Sequence, residues 1–252
     1  MNSWLRLLLA LAIALVISFG TTPIVKVFAQ KLGAMDVPDH ERHIHAQPTP
    51  RMGGMAIFLG FLIGVLLFVE LTPPVQGILI GAVIIVATGV VDDIVSLRYW
   101  MKLAGQLLAA VIAVAHGVVI QGLMNPNVFS GEETLVVGIL SIPITILWIV
   151  GVTNAVNLID GLDGLACGVS AISSVTMLVA ALLVAEPNVA LLLAALTGAC
   201  LGFIPYNFNP AKIFMGDTGA LLLGYVLATV SILGLFKFYA VMTFLVPVLA
   251  LA

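Results

Sequence analysis

The feature that most constrains this chain is a succession of apolar runs. Each is close to the roughly 20 residues that a helix needs to cross the hydrocarbon of a bilayer. They fall at 4–25, 53–71, 77–91, 103–121, 134–152, 165–185, 189–205, 218–235 and 238–252. Lipid offers no water to bond exposed N–H and C=O groups, so lone strands are excluded and these runs must be helices. The sequence therefore predicts an all-α, polytopic integral membrane protein with about nine transmembrane helices. Composition agrees, because 62% of the residues are hydrophobic and 8% charged, against roughly 25% charged in a soluble domain. Residues 1–20 carry one arginine and an apolar core, the outline of a signal peptide. The run continues to about Val25, however, and removing it would invert the topology that follows, so it is kept as the first span.

Counting crossings places segments 26–52, 92–102, 153–164 and 206–217 on one side of the membrane, and the short connections near 72, 125, 187 and 237 on the other. Of the nine Lys and Arg residues, Lys26, Lys31, Arg42, Arg51, Arg98, Lys102 and Lys212 fall on the first side, against Arg6 and Lys237 on the second. That side is cytoplasmic by the positive-inside rule. Every aspartate (Asp36, Asp39, Asp92, Asp93, Asp160, Asp163, Asp217) lies there too, whereas Glu70, Glu132, Glu133 and Glu186 are external and Glu41 alone breaks the pattern. Solvation of loops does not distinguish Asp from Glu, so the short carboxylate points to geometry. The net charge of −3 and the scattered basic residues give no footprint for nucleic acid. Cys167 and Cys200 read as small buried hydrophobes within spans.

Three junctions on the aspartate side carry candidate chemistry. Asp92 and Asp93 follow the third run directly, and adjacent carboxylates repel unless a cation or proton intervenes. A solvated helix end is the plain alternative. Asp217 stands in IFMGDTGALLLG, where an N-cap is the plain alternative. NAVNLIDGLDGLA sets Asn154, Asn157, Asp160 and Asp163 three apart, so neighbours share a helical face. Gly161 and Gly164 end that helix and expose backbone N–H groups, a suitable turn for a phosphorylated ligand. In the 26–52 loop, His40, His43 and His45 lack a nearby cysteine or a closed ligand set, which favours contact with solvent or phosphate over a zinc site. His116 falls in the fourth run and reads as an interior histidine. Carboxylates, basic residues and a membrane setting together indicate Mg²⁺-dependent chemistry on phosphates, where positioning and charge neutralisation carry most of the catalysis.

The segments PDHERHIHAQPTPRMGG, VVDDIVSLRYWMKLAGQ, NAVNLIDGLDGLACG and FNPAKIFMGDTGALLLG, in this order, closely resemble the polyprenyl-phosphate N-acetylhexosamine-1-phosphate transferases, of the glycosyltransferase 4 type. The resemblance implies a multi-pass enzyme of the plasma (inner) membrane with its active-site loops in the cytoplasm. Its partners would be the bilayer, a UDP-N-acetylhexosamine and undecaprenyl or another polyprenyl phosphate; UMP would be released and lipid-linked envelope polysaccharide synthesis begun. By the same resemblance, Asp92 and Asp93 are implicated in catalysis and Asp217 in binding Mg²⁺, with Mn²⁺ as a substitute. Gly161, Leu162 and Asp163 match the family's uridine-contacting turn, Asn207 and Phe214 its nucleotide site, and Arg51 and His45 further substrate contacts. Arg51 in TPRMGG, and NLIDG, are similar to the N-acetylglucosamine branch; the muramoyl-pentapeptide branch usually has lysine at the position of Gln47 and threonine at that of Arg51.

One departure stands out. The N-acetylglucosamine branch carries a histidine-rich motif after its ninth span, whereas this chain ends in VPVLALA. Residues 1–252 are accordingly read as a single transmembrane transferase domain whose C-terminal part is missing or truncated. The rivals are another UDP-sugar donor, a catalytically silent family member and an ion-coupled carrier. A carrier would need ionisable groups at mid-bilayer and repeated halves, neither of which is visible. Oligomeric state is left open.

Overall fold

The computed structural model describes residues 2–36, 48–124, 134–136, 138–184 and 186–234. Those residues form eight α-helices: α1 (Ser3–Leu32), α2 (Gly54–Phe68), α3 (Pro73–Val95), α4 (Tyr99–Ala115), α5 (Ser141–Ile159), α6 (Leu165–Leu183), α7 (Pro187–Asn207) and α8 (Gly216–Leu233). Two small antiparallel ribbons join them, β1 (Met35–Asp36) with β2 (Thr49–Pro50), and β3 (Gly122–Met124) with β4 (Thr134–Val136). The expected run at 238–252 lies outside the described residues, as do His40, His43 and His45.

The chain is a helical, polytopic membrane protein, but the count of nine spans is not reproduced. Six helices among the described residues, α1, α3, α5, α6, α7 and α8, are long and apolar enough to cross a membrane. Apolar α2 and α4 are shorter, at 15 and 17 residues, so α2 rises only about 22 Å at 1.5 Å per residue. Their limits have local causes. Extended Val69 and the Pro73–Pro74 pair that opens α3 close the 53–71 run early. Gly117, at φ +94°, ends α4 several residues before the expected limit. At the other extreme, α1 runs past Val25 to Leu32, where Gly33 in the left-handed region donates to Ala29 and Gln30.

Successive helices run between two ends of one bundle. At the far end Arg6 donates from Nη2 to the Phe68 carbonyl (2.8 Å), Gly77 of α3 lies against His116, and Ile120 N–H donates to Thr145 of α5 (2.9 Å). At the near end Gly53 and Gly54 N–H donate to the carbonyls of Phe214 and Met215. The short helices α2 and α4 thus reach both ends of the bundle through their flanking loops.

Helices α7 and α8 form the centre and are buried along 78% and 83% of their apolar stretches, against 28% in α1. Small residues allow the backbones to approach, as they commonly do between membrane helices. A Cβ on Gly54 would fall 2.6 Å from the Thr218 carbonyl carbon, and one on Gly89 would fall 2.6 Å from the Thr218 nitrogen. The first turn of α8 is thus wedged between α2 and α3, which brings Asp217 beside the end of α3.

Candidate active site

Asp93 sits in the last turn of α3, and its carboxylate caps a different helix. Its Oδ1 accepts the Asp217 N–H (2.9 Å), while Oδ2 accepts the Thr218 N–H (3.2 Å) and the Thr218 hydroxyl (2.6 Å). No side chain at the start of α8 provides a cap of its own. Asp93 supplies it from 124 residues away, at the second and third N–H groups that an N-cap ordinarily serves. Gly216, at φ +69°, makes room: a Cβ there would lie 2.8 Å from the Asp93 carboxyl carbon.

Asp92 has different partners. Its Oδ1 accepts the Leu97 N–H (2.7 Å), in a turn where Ser96 adopts φ 51°, and its Oδ2 pairs with Lys102 Nζ at 2.7 Å. Lys102, in the first turn of α4, also donates to Asp217 Oδ2. The remaining oxygen of Asp217, Oδ1, accepts from Asn157 Nδ2 of α5 at 3.0 Å. One ammonium therefore bridges two carboxylates from α3 and α8. Arg51 adds a second cation, 3.8 Å from Asp93 Oδ1 and 3.8 Å from Asp36 Oδ1. Asp92 and Asp93 side chains are almost wholly buried, at 3% and 0% exposure, so their charge is balanced by partners more than by water.

The nucleotide residues expected from the resemblance gather next to this centre. Asp163 Oδ2 accepts the Ala211 N–H (3.0 Å), and Asn207 Nδ2 donates to the Ile213 carbonyl (3.2 Å). Phe214 N–H donates to Pro50 while its carbonyl accepts from Gly53, tying the 207–214 loop to the β2–α2 junction. Asn207 Oδ1 is buried without a hydrogen-bond partner, a polar atom left available within the site. Gly161 and Leu162 stand at the rim: space beside the Gly161 Cα is open and Leu162 is 50% exposed. Asp160, just past the end of α5, is pushed up to about 7 by burial and by the carboxylates of Asp217 and Asp93. His45 lies outside the described residues.

Sequence reasoning overlooked Lys102 and Thr218 as members of the site, and it placed Asn157 and Asp160 on the polar strip without giving either a role. Lys102 had a usable signal, because an ammonium at the start of an apolar helix requires an anion close by. Thr218 had none, since its contribution depends on contact across the fold.

Whether the site suits a magnesium ion is decided by the donor set. Among the described residues no three His, Cys, Asp or Glu side chains are grouped to hold a metal. Mg²⁺ needs less, commonly one or two carboxylates with water and substrate phosphate completing its shell. Asp92 Oδ2 and Asp217 Oδ2 already converge on one cationic centre, the Lys102 ammonium. Of the two, Asp217 is the more exposed, at 18% against 3%, and would offer an oxygen to a hard divalent cation shared with phosphate.

Comparison with known proteins follows the same residues. Residues 75–235 match glycosyl transferase family 4, a stretch that includes Asp92, Asp93, the Gly161–Asp163 turn and Asp217. A probable undecaprenyl-phosphate N-acetylglucosaminyl 1-phosphate transferase of Bacillus subtilis is 41% identical over 250 residues, 98% of this chain and 68% of the relative. A decaprenyl-phosphate N-acetylglucosaminephosphotransferase of Mycobacterium tuberculosis is 37% identical over 89% of this chain and 59% of its own length. A phospho-N-acetylmuramoyl-pentapeptide-transferase of Heliobacterium modesticaldum is 36% identical over 76% of this chain and 62% of its own. The chain thus spans about three fifths to two thirds of these relatives. By the extent of the match and the identity to its relatives, the chain belongs to glycosyl transferase family 4.

Proposed function

We propose that the protein transfers N-acetylglucosamine 1-phosphate from UDP-N-acetylglucosamine to undecaprenyl phosphate and releases UMP. The observation that carries this reading is the convergence of Asp92, Asp93, Asp217 and Lys102 at one end of an apolar bundle. A polyprenyl tail stays in lipid with its phosphate at the interface, so charged groups at helix ends meet it without being placed at mid-bilayer. The named activity of the B. subtilis relative, at 41% identity, supports this donor and acceptor over the muramoyl-pentapeptide alternative. The aspartate-bearing end faces the cytoplasm of a plasma (inner) membrane protein, by the distribution of Lys and Arg.

In this reading an oxygen of the lipid phosphate attacks the sugar-bearing phosphorus directly. A P–O bond to the lipid forms while the P–O bond to UMP breaks, and UMP leaves with the electron pair. Asp92 Oδ2 takes the proton of a lipid phosphate that arrives protonated. Asp217 would hold the Mg²⁺, which supplies charge neutralisation for the phosphates, and Asp92 Oδ2 is left to the proton. Asp93 acts by fixing Asp217 through the α8 cap. Lys102 and Arg51, with His45, offset phosphate charge, while Gly161, Leu162, Asp163, Asn207 and Phe214 receive the uridine end. Holding both phosphates together removes the entropic cost of an encounter at the interface.

The test uses the full-length protein in membranes with labelled UDP-N-acetylglucosamine and undecaprenyl phosphate, with and without Mg²⁺. Labelled lipid and UMP in equal amounts, dependent on Mg²⁺, are expected. No labelled lipid, or preferential use of UDP-N-acetylmuramoyl-pentapeptide, would overturn the assignment.

A further inference from the structure

We infer that Gln106 of α4 and Asn154 of α5 form a positioning pair that sets the spacing of Lys102 and Asn157 across Asp217. Gln106 Nε2 donates to Asn154 Oδ1 (3.3 Å), and Asn154 Nδ2 donates back to Gln106 Oε1 (2.6 Å). The same Asn154 nitrogen donates to the Val150 carbonyl one turn earlier (2.8 Å), so both of its N–H groups are used. Gln106 is 2% exposed, and a carboxamide so placed is costly unless paired.

The two residues are in register with the ionic centre. Gln106 lies four residues beyond Lys102, and Asn154 lies three residues before Asn157, so each shares a helical face with the residue it supports. Lys102 grips Asp217 Oδ2 and Asn157 grips Oδ1. The carboxylate is therefore held from two helices, and the reciprocal amide pair joins those helices one turn deeper. Apolar side chains would fill this space over a range of axial offsets. A reciprocal amide pair works at one, because a slip of one residue moves a helix by about 1.5 Å and breaks both bonds. Helices α4 and α5 pack on each other less than α5 packs on α8 or α4 on α3. The pair is thus a register-specific polar constraint on their relative height.

For its kinetic arm the inference rests on the transferase reading; a second arm does not. Lys102 is 27% exposed and engaged by two carboxylates, so its acylation by acetic anhydride, followed by mass spectrometry, reports directly on whether the clamp is intact. The variants are Gln106→Met, Asn154→Leu and the exchanged pair Gln106→Asn with Asn154→Gln, in the full-length protein in detergent. Thr145→Val, at the far end of α5, provides a control that loosens the same helix elsewhere.

Lys102 acylation is expected to accelerate several-fold in each single variant and to return to the wild-type rate in the exchanged pair. In the transfer assay kcat is expected to fall at least about tenfold with KM for the UDP-sugar unchanged, the signature of misplaced reacting groups. Unchanged acylation in both single variants, the same acceleration in Thr145→Val, or no recovery in the exchanged pair would overturn the inference. Absence of transfer by the wild-type protein would overturn the functional reading alone, leaving the acylation result to decide this one.

Discussion

The two parts of the site are built on opposite lines. At the α3–α4–α8 junction every carboxylate oxygen of Asp92, Asp93 and Asp217 has a partner, and two of the three side chains are nearly inaccessible. At the Gly161–Asp163 turn the backbone is open on one side, Leu162 is half exposed and neighbouring Phe208 is 68% exposed. On the proposed reading the first region is preorganised to meet charge that builds up during reaction, where fixed dipoles and ions act without reorganising. The second is a rim, suited to admitting and releasing a soluble ligand. On the proposed reading, binding and chemistry are divided between an open rim and a buried floor.

If that division holds, substitutions in the floor should abolish turnover while those at the rim should mainly alter affinity. The largest effect is expected for Asp217→Ala, which removes the carboxylate shared by Lys102 and Asn157. Transfer should fall by about 10³-fold or more, measured as labelled lipid formed per minute. Normal Mg²⁺-dependent transfer by this variant would break the distinction outright.

Next come the adjacent aspartates, which have unlike partners. Asp93→Ala strips the acceptor from two backbone N–H groups and a hydroxyl at a buried helix start, a loss of about 2–4 kcal/mol. It should lower the melting temperature in detergent as well as activity. Asp92→Asn keeps the shape and the Leu97 contact, so it should lower activity with little change in melting temperature. Equal melting temperatures for the two variants would dissolve the contrast.

A smaller effect is expected at the rim. Leu162→Ala should raise KM for the UDP-sugar by about tenfold or less and leave kcat within a factor of two or so, since a half-exposed leucine offers limited burial. A collapse of kcat would move this residue from the rim to the floor.

The smallest concerns Asp160, between the two regions. Its folded pKa of about 7 lies above the ordinary carboxylate value, so the folded protein holds this proton more tightly than the unfolded chain. The resulting stabilisation is present below the unfolded value and is lost as pH rises towards about 7. Melting temperatures at pH 5 and pH 8 should therefore differ less in Asp160→Asn than in the wild type, by a few degrees. An unchanged difference would remove the assigned shift.

Much of this arrangement was readable before the fold. Long apolar runs identify the helices but not the number of spans, six among the described residues against the nine expected, and the aspartates mark the junctions that meet. Two kinds of information were missing. Helix limits such as Ala115 depend on a single backbone conformation at Gly117, which hydropathy does not encode. Partner choice was also hidden: Asp217 reads as the natural cap of its own helix, yet that cap comes from Asp93, and Asp217 is turned to Lys102 and Asn157. Gln106 gave no signal alone, because its meaning lies in facing Asn154.

The long separation between Asp93 and the helix it caps has a consequence for biosynthesis. When α3 leaves the ribosome, its two aspartates reach the membrane boundary more than a hundred residues ahead of the N–H groups of Asp217 and Thr218. Lys102 arrives soon afterwards and offers Asp92 an early partner, but Asp93 must wait for α8. Insertion of the earlier helices and completion of the site are therefore separate events, and the arrival of α8 between α2 and α3 is the step that joins them.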